Sequence, residues 1–190
     1  MLYILIIVGA MALITLVNWL FDPTLATAGS LALSVLFGTV SVIAWDGVVA
    51  LFIRRFPLPR RWFSADCPIY YAGKRERALY RRLGINIWKS YVPELGGFTG
   101  FHKSQFSSPH DPEYLKRFLV ESNYGVAIHL ANAILGFLII LLPWCSAPAV
   151  AIPIALVNMI LSLLPVAILR FNSVPLYHLY LRQTDRHRAP

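Results

Sequence analysis

Four long apolar runs constrain the fold of this chain more than any other feature of its sequence. They cover residues 1–21, 30–53, 125–144 and 149–169. Each has about the ~20 residues that a helix needs to cross a hydrocarbon core of ~30 Å. The runs lack the alternation of barrel strands, and an α-helix satisfies its own backbone in lipid. The sequence therefore predicts an all-α membrane protein with four transmembrane helices in a single membrane domain.

The composition of the whole chain agrees with that prediction. Of the 190 residues, 57% are hydrophobic, and the mean hydropathy is +0.61. A soluble domain of this length cannot bury so much apolar surface. The first run has no basic residues ahead of its apolar part, so we expect it to remain as a helix rather than to be removed as a signal peptide.

The positions of the basic residues predict an orientation. All 17 Lys and Arg fall in residues 54–117, at Arg170, or in the tail from Arg182. Since cytoplasmic loops of membrane proteins carry an excess of Lys and Arg, we expect a cytoplasmic segment over 54–124 and a cytoplasmic tail over 170–190. The expected product is a multi-pass protein of the cell membrane with both termini in the cytoplasm.

The cytoplasmic segment contains a predicted amphipathic helix at residues 74–83. Leu79, Tyr80 and Leu83 share one face, basic residues occupy much of the rest, and Gly84 is a natural end. The pattern favours a helix that lies on anionic membrane lipids. The alternative is a solvated face that only anchors the loop. The net charge of +8 follows the membrane ends and matches no nucleic-acid module, so we expect no nucleic-acid partner.

A Gly-rich and aromatic stretch over 88–110 is interpreted as a loop packed against the membrane surface. A helix start follows it, with Asp111 as N-cap, Pro112 at the first helical position and Glu113 in the first turn. No stop signal follows. One long helix over 112–144 is therefore expected, with its first part in the cytoplasm.

Polar side chains line one side of this long helix. At 100° per residue, Glu121, His129 and Asn132 fall within about 80° of one another. Ionisable groups at membrane depth are costly, about +2.5 to +3.5 kcal/mol for Arg, Lys or Asp at the centre. A chain that keeps such a group usually uses it, so these residues are candidates for a site. Glu121 and His129 are about 12 Å apart along the axis and cannot pair directly.

Asp46 is the predicted partner of His129. It lies about 12 Å along helix two from Arg54, at a depth comparable to that of His129. A carboxylate at this depth is able to orient a catalytic imidazole. The alternative is a structural pair that holds the helical bundle together.

Other classes of site lack their sequence patterns. The five histidines are not at the spacing of metal ligands, so no metal site is predicted; they are His102, His110, His129, His178 and His187. No nucleophile elbow, phosphate-binding loop or dinucleotide fingerprint is present.

An ordered set of motifs over residues 70 to 182 resembles one known family. The motifs are Glu76-x-x-x-Tyr80, Trp88-Lys89 with Pro93 and Gly96-Gly97, Tyr114 to Phe118 leading to Glu121 and His129, and Arg170-Phe171-Asn172 with Leu176. Their order and spacing are similar to those of the glycosyl-4,4′-diaponeurosporenoate acyltransferases, small membrane enzymes that attach a fatty acyl chain to a sugar hydroxyl of a glycosylated carotenoid. The chain departs from that family in two places. Between Glu121 and His129, basic residues and a second carboxylate of the family are replaced by Asn123, Tyr124 and Val126. After Asn172, a basic residue of the family is replaced by Ser173.

The resemblance implies a membrane O-acyltransferase that acts at the cytoplasmic face on a glycolipid or glycosylated carotenoid. The expected catalytic residues are His129 as general base, Glu121 and Asp46. The expected substrate-binding residues are Trp88, Lys89, Asn132, Arg170 and Asn172, with Arg170 and Asn172 holding donor phosphates or the oxyanion. No permanently bound cofactor is expected, and acyl-CoA or another acyl carrier is the expected donor substrate. The alternative is a non-catalytic lipid-binding or scaffold protein derived from such an enzyme; a transporter or channel fits less well.

Overall fold

A computed structural model describes residues 2–21, 27–92, 108–145 and 147–188, and all regular structure in these ranges is helical. The α-helices are α1 (Leu2–Phe21), α2 (Ala28–Arg55), α3 (Lys74–Arg82), α4 (Ile85–Trp88), α5 (Pro112–Leu135) and α6 (Pro148–Arg188). Short 3₁₀ turns lie between several of them. Four of the helices, namely α1, α2, α5 with the turn that follows it, and α6, are long and apolar enough to cross a membrane. The predicted all-α fold with four such helices is confirmed.

The chain forms two compact units. Unit 1 contains Met1–Arg55 and Ile128–Leu164, and unit 2 contains Phe56–Ala127 and Pro165–Pro190. Neither unit is a continuous stretch, because α5 and α6 each supply residues to both. The single membrane domain expected from the sequence stays a prediction.

The core of unit 1 is a set of branched side chains between α2, α6 and the segment 136–145. Val35, Val42, Ile139 and Ile154 are buried there. Gly38 marks the closest approach, since a Cβ at this position would lie 2.8 Å from the Cys145 Sγ atom and 2.9 Å from Ile154. Large apolar side chains on the other faces of α1 and α2 are exposed.

Helix α6 differs most from its prediction. It was expected over 149–169, yet it runs for 41 residues to Arg188, so most of the expected tail is helical. Prolines usually interrupt helices because they remove an N–H and leave a carbonyl four residues earlier unpaired. Two of these carbonyls find donors on α1: Asn18 Nδ2 donates to the Ala149 carbonyl at 3.2 Å, four residues before Pro153. The Tyr3 hydroxyl donates to the Leu161 carbonyl at 3.1 Å, four residues before Pro165.

Helix α5 begins as predicted and ends earlier. The Glu113 N–H donates to the Asp111 carboxylate at 2.9 Å, which confirms the N-cap. The α-helix ends at Leu135, and Gly136–Leu141 continues as a 3₁₀ helix. The change falls at Gly136, where a Cβ would lie 2.7 Å from the Asn158 amide. Glycine has a low helix propensity, and the tighter turn coincides with this close packing.

Unit 2 contains the predicted amphipathic helix as α3. Gly84 follows it in the left-handed region with φ 70°, as the sequence predicts for a helix end. The next helix, α4, anchors itself through Ile85, which is fully buried. The apolar side chains Leu79 and Leu83 are exposed. Most of the predicted membrane-surface loop, from residue 93 to 107, lies outside the described residues.

Candidate functional site

Three helices of unit 1 bring polar side chains together between their apolar faces. Asn158 on α6 donates through Nδ2 to the Asp46 carboxylate on α2 at 3.3 Å and to the main-chain carbonyl of Asn132 on α5 at 3.4 Å. We call Asp46, Asn132 and Asn158 the unit 1 polar cluster. Since each residue comes from a different helix, the cluster joins α2, α5 and α6 at one point.

Gly136 allows this junction to form. It lies one turn after Asn132 on α5, and a Cβ there would meet the Asn158 amide nitrogen at 2.7 Å and Val42 at 3.5 Å. A side chain at this position would therefore push Asn158 away from α5. The amide oxygen of Asn132 is buried and has no hydrogen-bond partner among the described residues.

His129, the predicted general base, lies in unit 1 one turn before Asn132 on α5, and it is half-buried. Residues three apart on a helix are neighbours on its surface. The structure therefore places His129 beside the cluster residue Asn132 on one helix. The described hydrogen bond of Asp46 comes from Asn158, and the pairing of Asp46 with His129 stays a prediction.

A second polar centre lies in unit 2 around Arg170. Its Nε atom donates to Glu76 Oε1 at 2.6 Å and its Nη2 atom to Glu76 Oε2 at 2.8 Å. Nη2 also donates to the Tyr71 carbonyl at 3.2 Å, and Nη1 donates to the Ile69 carbonyl. The Tyr80 hydroxyl donates to Glu76 Oε1 at 2.7 Å. We call Glu76, Tyr80 and Arg170 the Arg170 clamp, since they fix α3 and the segment before it to α6.

The pKa values of the residues in the Arg170 clamp favour a structural role over proton transfer. Hydrogen bonding by Arg170 lowers the pKa of the Glu76 carboxyl to about 2 from an ordinary 4.5, and the Tyr80 hydroxyl acts in the same direction. Burial raises the pKa of the Tyr80 hydroxyl to about 12, with the Glu76 carboxylate adding to the effect. A general acid or base works best with a pKa near the operating pH. Neither group meets that condition at neutral pH.

The clamp gives Arg170 partners that the sequence did not indicate. Its hydrogen bonds to Glu76, Ile69 and Tyr71 occupy all but about one of the five N–H groups of a guanidinium. Its predicted role with donor phosphates stays a prediction. Asn172, two residues on, is exposed on α6.

Sequence reasoning named Glu76 only as part of a motif, and it named Tyr80 in that motif and on one face of the predicted amphipathic helix. It gave neither residue a role in a site. Their spacing of four residues was a usable signal, because it places a carboxylate and a phenol on one face of α3. A hydrogen bond between them follows from that spacing, whereas the third member of the clamp is 94 residues away in sequence.

Asn123 is a further position that sequence reasoning missed. It is fully buried on α5 and donates through Nδ2 to the main-chain carbonyls of Phe63 at 3.2 Å and Ser64 at 2.8 Å. The next residue, Tyr124, stacks on the Phe63 ring with centroids 3.9 Å apart. These two residues, seen in the sequence only as departures from a pattern, hold the segment after α2 against α5.

The remaining predicted binding residues lie at the end of α4. The Trp88 indole N–H donates to the Leu83 carbonyl at 3.0 Å, which closes the turn at Gly84. Lys89 follows in a 3₁₀ turn and is half-buried, as is Glu121 on α5. Trp88, Lys89 and Glu121 belong to unit 2.

No group of three or more His, Cys, Asp or Glu among the described residues is arranged to hold a metal ion.

A comparison with models of protein families identifies a relationship. The profile of a family described as glycosyl-4,4′-diaponeurosporenoate acyltransferase matches residues 59–182, more than half of the chain. The match includes the Arg170 clamp, His129, Asn132 and Asn158, and Asp46 precedes it. The search of curated proteins and the search of solved structures gave no match.

Proposed function

The chain belongs to the glycosyl-4,4′-diaponeurosporenoate acyltransferase family, acyltransferases of carotenoid biosynthesis, and from that membership we propose that it moves a fatty acyl group onto a hydroxyl of a glycolipid or glycosylated carotenoid. The observation that carries the proposal is the family match over 59–182. The donor is acyl-CoA or another acyl carrier, used as a substrate rather than as a bound cofactor.

The proposed step transfers an acyl group from sulfur to oxygen. His129 takes the proton of the acceptor hydroxyl, and the oxygen attacks the acyl carbonyl. The carbon–sulfur bond of the thioester breaks, the thiolate takes up a proton, and an ester remains. Positioned base catalysis of this kind contributes about 10²- to 10⁴-fold. Histidine suits the role because its ordinary pKa lies close to neutral pH.

The other predicted residues have supporting roles in this proposal. Asp46 orients the imidazole of His129, and Asn132 binds the acceptor. Glu121, Trp88 and Lys89 contribute to binding the acceptor or donor, and Asn172 and the remaining N–H of Arg170 bind the donor. These assignments follow from residue type, position on the helices and the family match.

We place the reaction at the cytoplasmic face of a cell membrane. The support is the distribution of the 17 Lys and Arg, which flank the predicted cytoplasmic ends of the helices. Four helices able to span a membrane support a multi-pass protein. On this orientation both termini are cytoplasmic.

Anionic lipids are the proposed partner of α3. Lys74, Arg75, Arg81 and Arg82 are exposed on it, beside the exposed apolar side chain of Leu79. Basic residues near an anionic surface contribute about 1 kcal/mol each. This arrangement favours binding at the head-group layer over a merely solvated face.

Activity is tested with the full chain in lipid nanodiscs, an acyl-CoA and a glycolipid acceptor. Wild-type protein should release CoA and form the acylated lipid, detected together by a thiol assay and mass spectrometry. His129→Ala should abolish both, whereas His178→Ala, at an exposed position on α6, should not. Full activity of His129→Ala would exclude His129 as the base.

A second candidate function is non-catalytic lipid binding or scaffolding. Val126 favours it, because this fully buried side chain stands where the family tends to carry an acid. Lipid extracts of cells with and without the protein separate the two functions. An acylated species that depends on the protein supports the transferase, and identical extracts support the scaffold.

A further inference from the structure

The side-chain amide of Asn132 lies in the core of unit 1, and its oxygen atom makes no hydrogen bond among the described residues. The residue is 5% exposed, and the unpaired atom is Oδ1. Buried polar groups in native proteins nearly always have a partner, and exceptions call for an explanation such as a ligand or a bound water. The cost of an unpaired group rises in a low-dielectric interior such as a membrane span.

The main chain at Asn132 is held by a polar contact. Asn158 donates to the main-chain carbonyl of Asn132 at 3.4 Å and to the Asp46 carboxylate at 3.3 Å. Gly136 allows that approach, and His129 lies one turn back on the same helix. Asn132 is thus fixed through its main chain, its side-chain oxygen is left without a partner among the described residues, and it neighbours the proposed base on the surface of α5.

We propose that the Asn132 amide binds a hydroxyl of a lipid substrate inside unit 1. An amide both accepts and donates hydrogen bonds, as a hydroxyl does. An anionic group is a poor fit, because the unpaired atom is the Oδ1 oxygen, which accepts a hydrogen bond and cannot donate one. The inference rests on the proposed function in one respect: the molecule that carries the bound hydroxyl is taken to be the acyl acceptor.

The first test compares stability without ligand. Asn132→Leu replaces an amide whose Oδ1 atom has no partner among the described residues by an apolar group of similar size, so the Tm of the ligand-free protein in nanodiscs should stay the same or rise. Asn158→Leu is the matched control, and it should lower the Tm because it removes two hydrogen bonds. An equal loss of Tm in both variants would overturn the proposal, because the Asn132 amide would then be structural or paired with a bound water.

The second test measures binding with three probes that share a twelve-carbon chain: dodecyl glucoside, 1-dodecanol and dodecyl methyl ether. Each is titrated into wild-type protein and Asn132→Leu in nanodiscs, with the Tm shift as readout. The hydroxyl probes should bind wild type and bind Asn132→Leu about tenfold more weakly. A response to the glucoside alone identifies a sugar hydroxyl as the ligand, and a response to both identifies any lipid alcohol.

Two outcomes overturn the proposal: equal binding of the hydroxyl probes to wild type and Asn132→Leu, or binding of the ether as tight as that of the alcohol. Neither measurement requires turnover. Binding through Asn132 without ester formation would refute the proposed function alone. Ester formation with an unchanged acceptor KM in Asn132→Leu would refute this inference alone.

Discussion

The Arg170 guanidinium holds the Glu76 carboxylate through two parallel hydrogen bonds of 2.6 and 2.8 Å, although 94 residues separate the two in sequence. This forked geometry gives stronger and more directional bonds than single neutral hydrogen bonds do. Both side chains are mostly shielded from solvent, with 19% and 29% exposure. The pair is therefore expected to matter for stability in a way that exposed ion pairs do not.

Removing the charge of Glu76 should destabilise the protein. Glu76→Gln is expected to lower the free energy of unfolding by about 1 to 3 kcal/mol, because Arg170 loses its charged acceptor. Glu113→Gln is the matched control, since Glu113 meets Lys116 only at 3.9 Å on an exposed surface. That change should cost less than about 0.5 kcal/mol. Denaturant titration followed by far-UV circular dichroism measures both, and equal effects would contradict the assignment.

The ion pair of Glu76 and Arg170 also predicts that stability depends on pH. Glu76 has a folded pKa of about 2, below its ordinary 4.5. A depressed carboxyl pKa contributes stability above the unfolded value, and that contribution is lost as the pH falls from about 4.5 towards 2. The difference in unfolding free energy between wild type and Glu76→Gln should therefore shrink over this range. A constant difference from pH 6 to pH 2 would argue against the shift.

The hydrogen bond from Asn18 to the Ala149 carbonyl predicts that substitutions of Asn18 and Pro153 have coupled effects on stability. Asn18→Leu should cost about 1 to 3 kcal/mol, because the Ala149 carbonyl loses its donor. Pro153→Ala restores a main-chain N–H that reaches this carbonyl, so Asn18→Leu should cost less in that background. A double-mutant cycle measures the coupling, expected at about 0.5 kcal/mol or more. Additive effects would mean that Asn18 does not replace the missing helical bond.

Gly136 should resist substitution where another glycine of unit 1 does not. Gly136→Ala places a Cβ 2.7 Å from the Asn158 amide, which should break the unit 1 polar cluster and lower the Tm by several degrees. Gly47→Ala, on α2 with nothing within 4 Å, should leave the Tm unchanged or raise it. Thermal unfolding of both variants in the same detergent measures the two Tm values. An unchanged Tm in Gly136→Ala would contradict the close approach of Gly136 and Asn158.

The proposed partner of α3 predicts a response to lipid charge. Amide hydrogens of α3 should exchange more slowly in nanodiscs that contain anionic lipid than in neutral ones. Arg81→Gln with Arg82→Gln should reduce that difference, and salt at about 1 M should do the same, since the Debye length is then about 3 Å. Lys116→Gln, an exposed lysine outside α3, is the control. Equal exchange in both lipids would favour a solvated face.

Local patterns in the sequence predicted local structure well. The apolar runs predicted the four long helices, and Asp111 and Gly84 predicted a helix start and a helix end. These features depend on neighbouring residues, which hydrophobic periodicity and capping preferences describe. The continuation of α6 from residue 170 to Arg188 could not be predicted in this way. This part of the helix is held by tertiary contacts such as that of Arg170 with Glu76, which are 94 residues apart in sequence.

The sequence indicated which residues are candidates for the site, but it did not indicate which partners they contact. His129, Asn132 and Asp46 were chosen as polar residues at membrane depth, and the structure unites Asp46 and Asn132 through Asn158. Arg170 was expected to bind phosphate, whereas Glu76 and the main-chain carbonyls of Ile69 and Tyr71 take most of its donors. Such pairings arise from tertiary packing over long sequence separations, and a single sequence does not encode them in any local period.

Helix α6 supplies Asn158 to the unit 1 polar cluster and Arg170 to the clamp. It is also the last of the described helices to leave the ribosome during synthesis. Until α6 has been made, Asp46 lacks Asn158, and Glu76 has only its local partners Tyr80 and the Gly73 N–H. The hydrogen bonds that join α6 to the rest of each unit therefore form only after the other described helices have been synthesised.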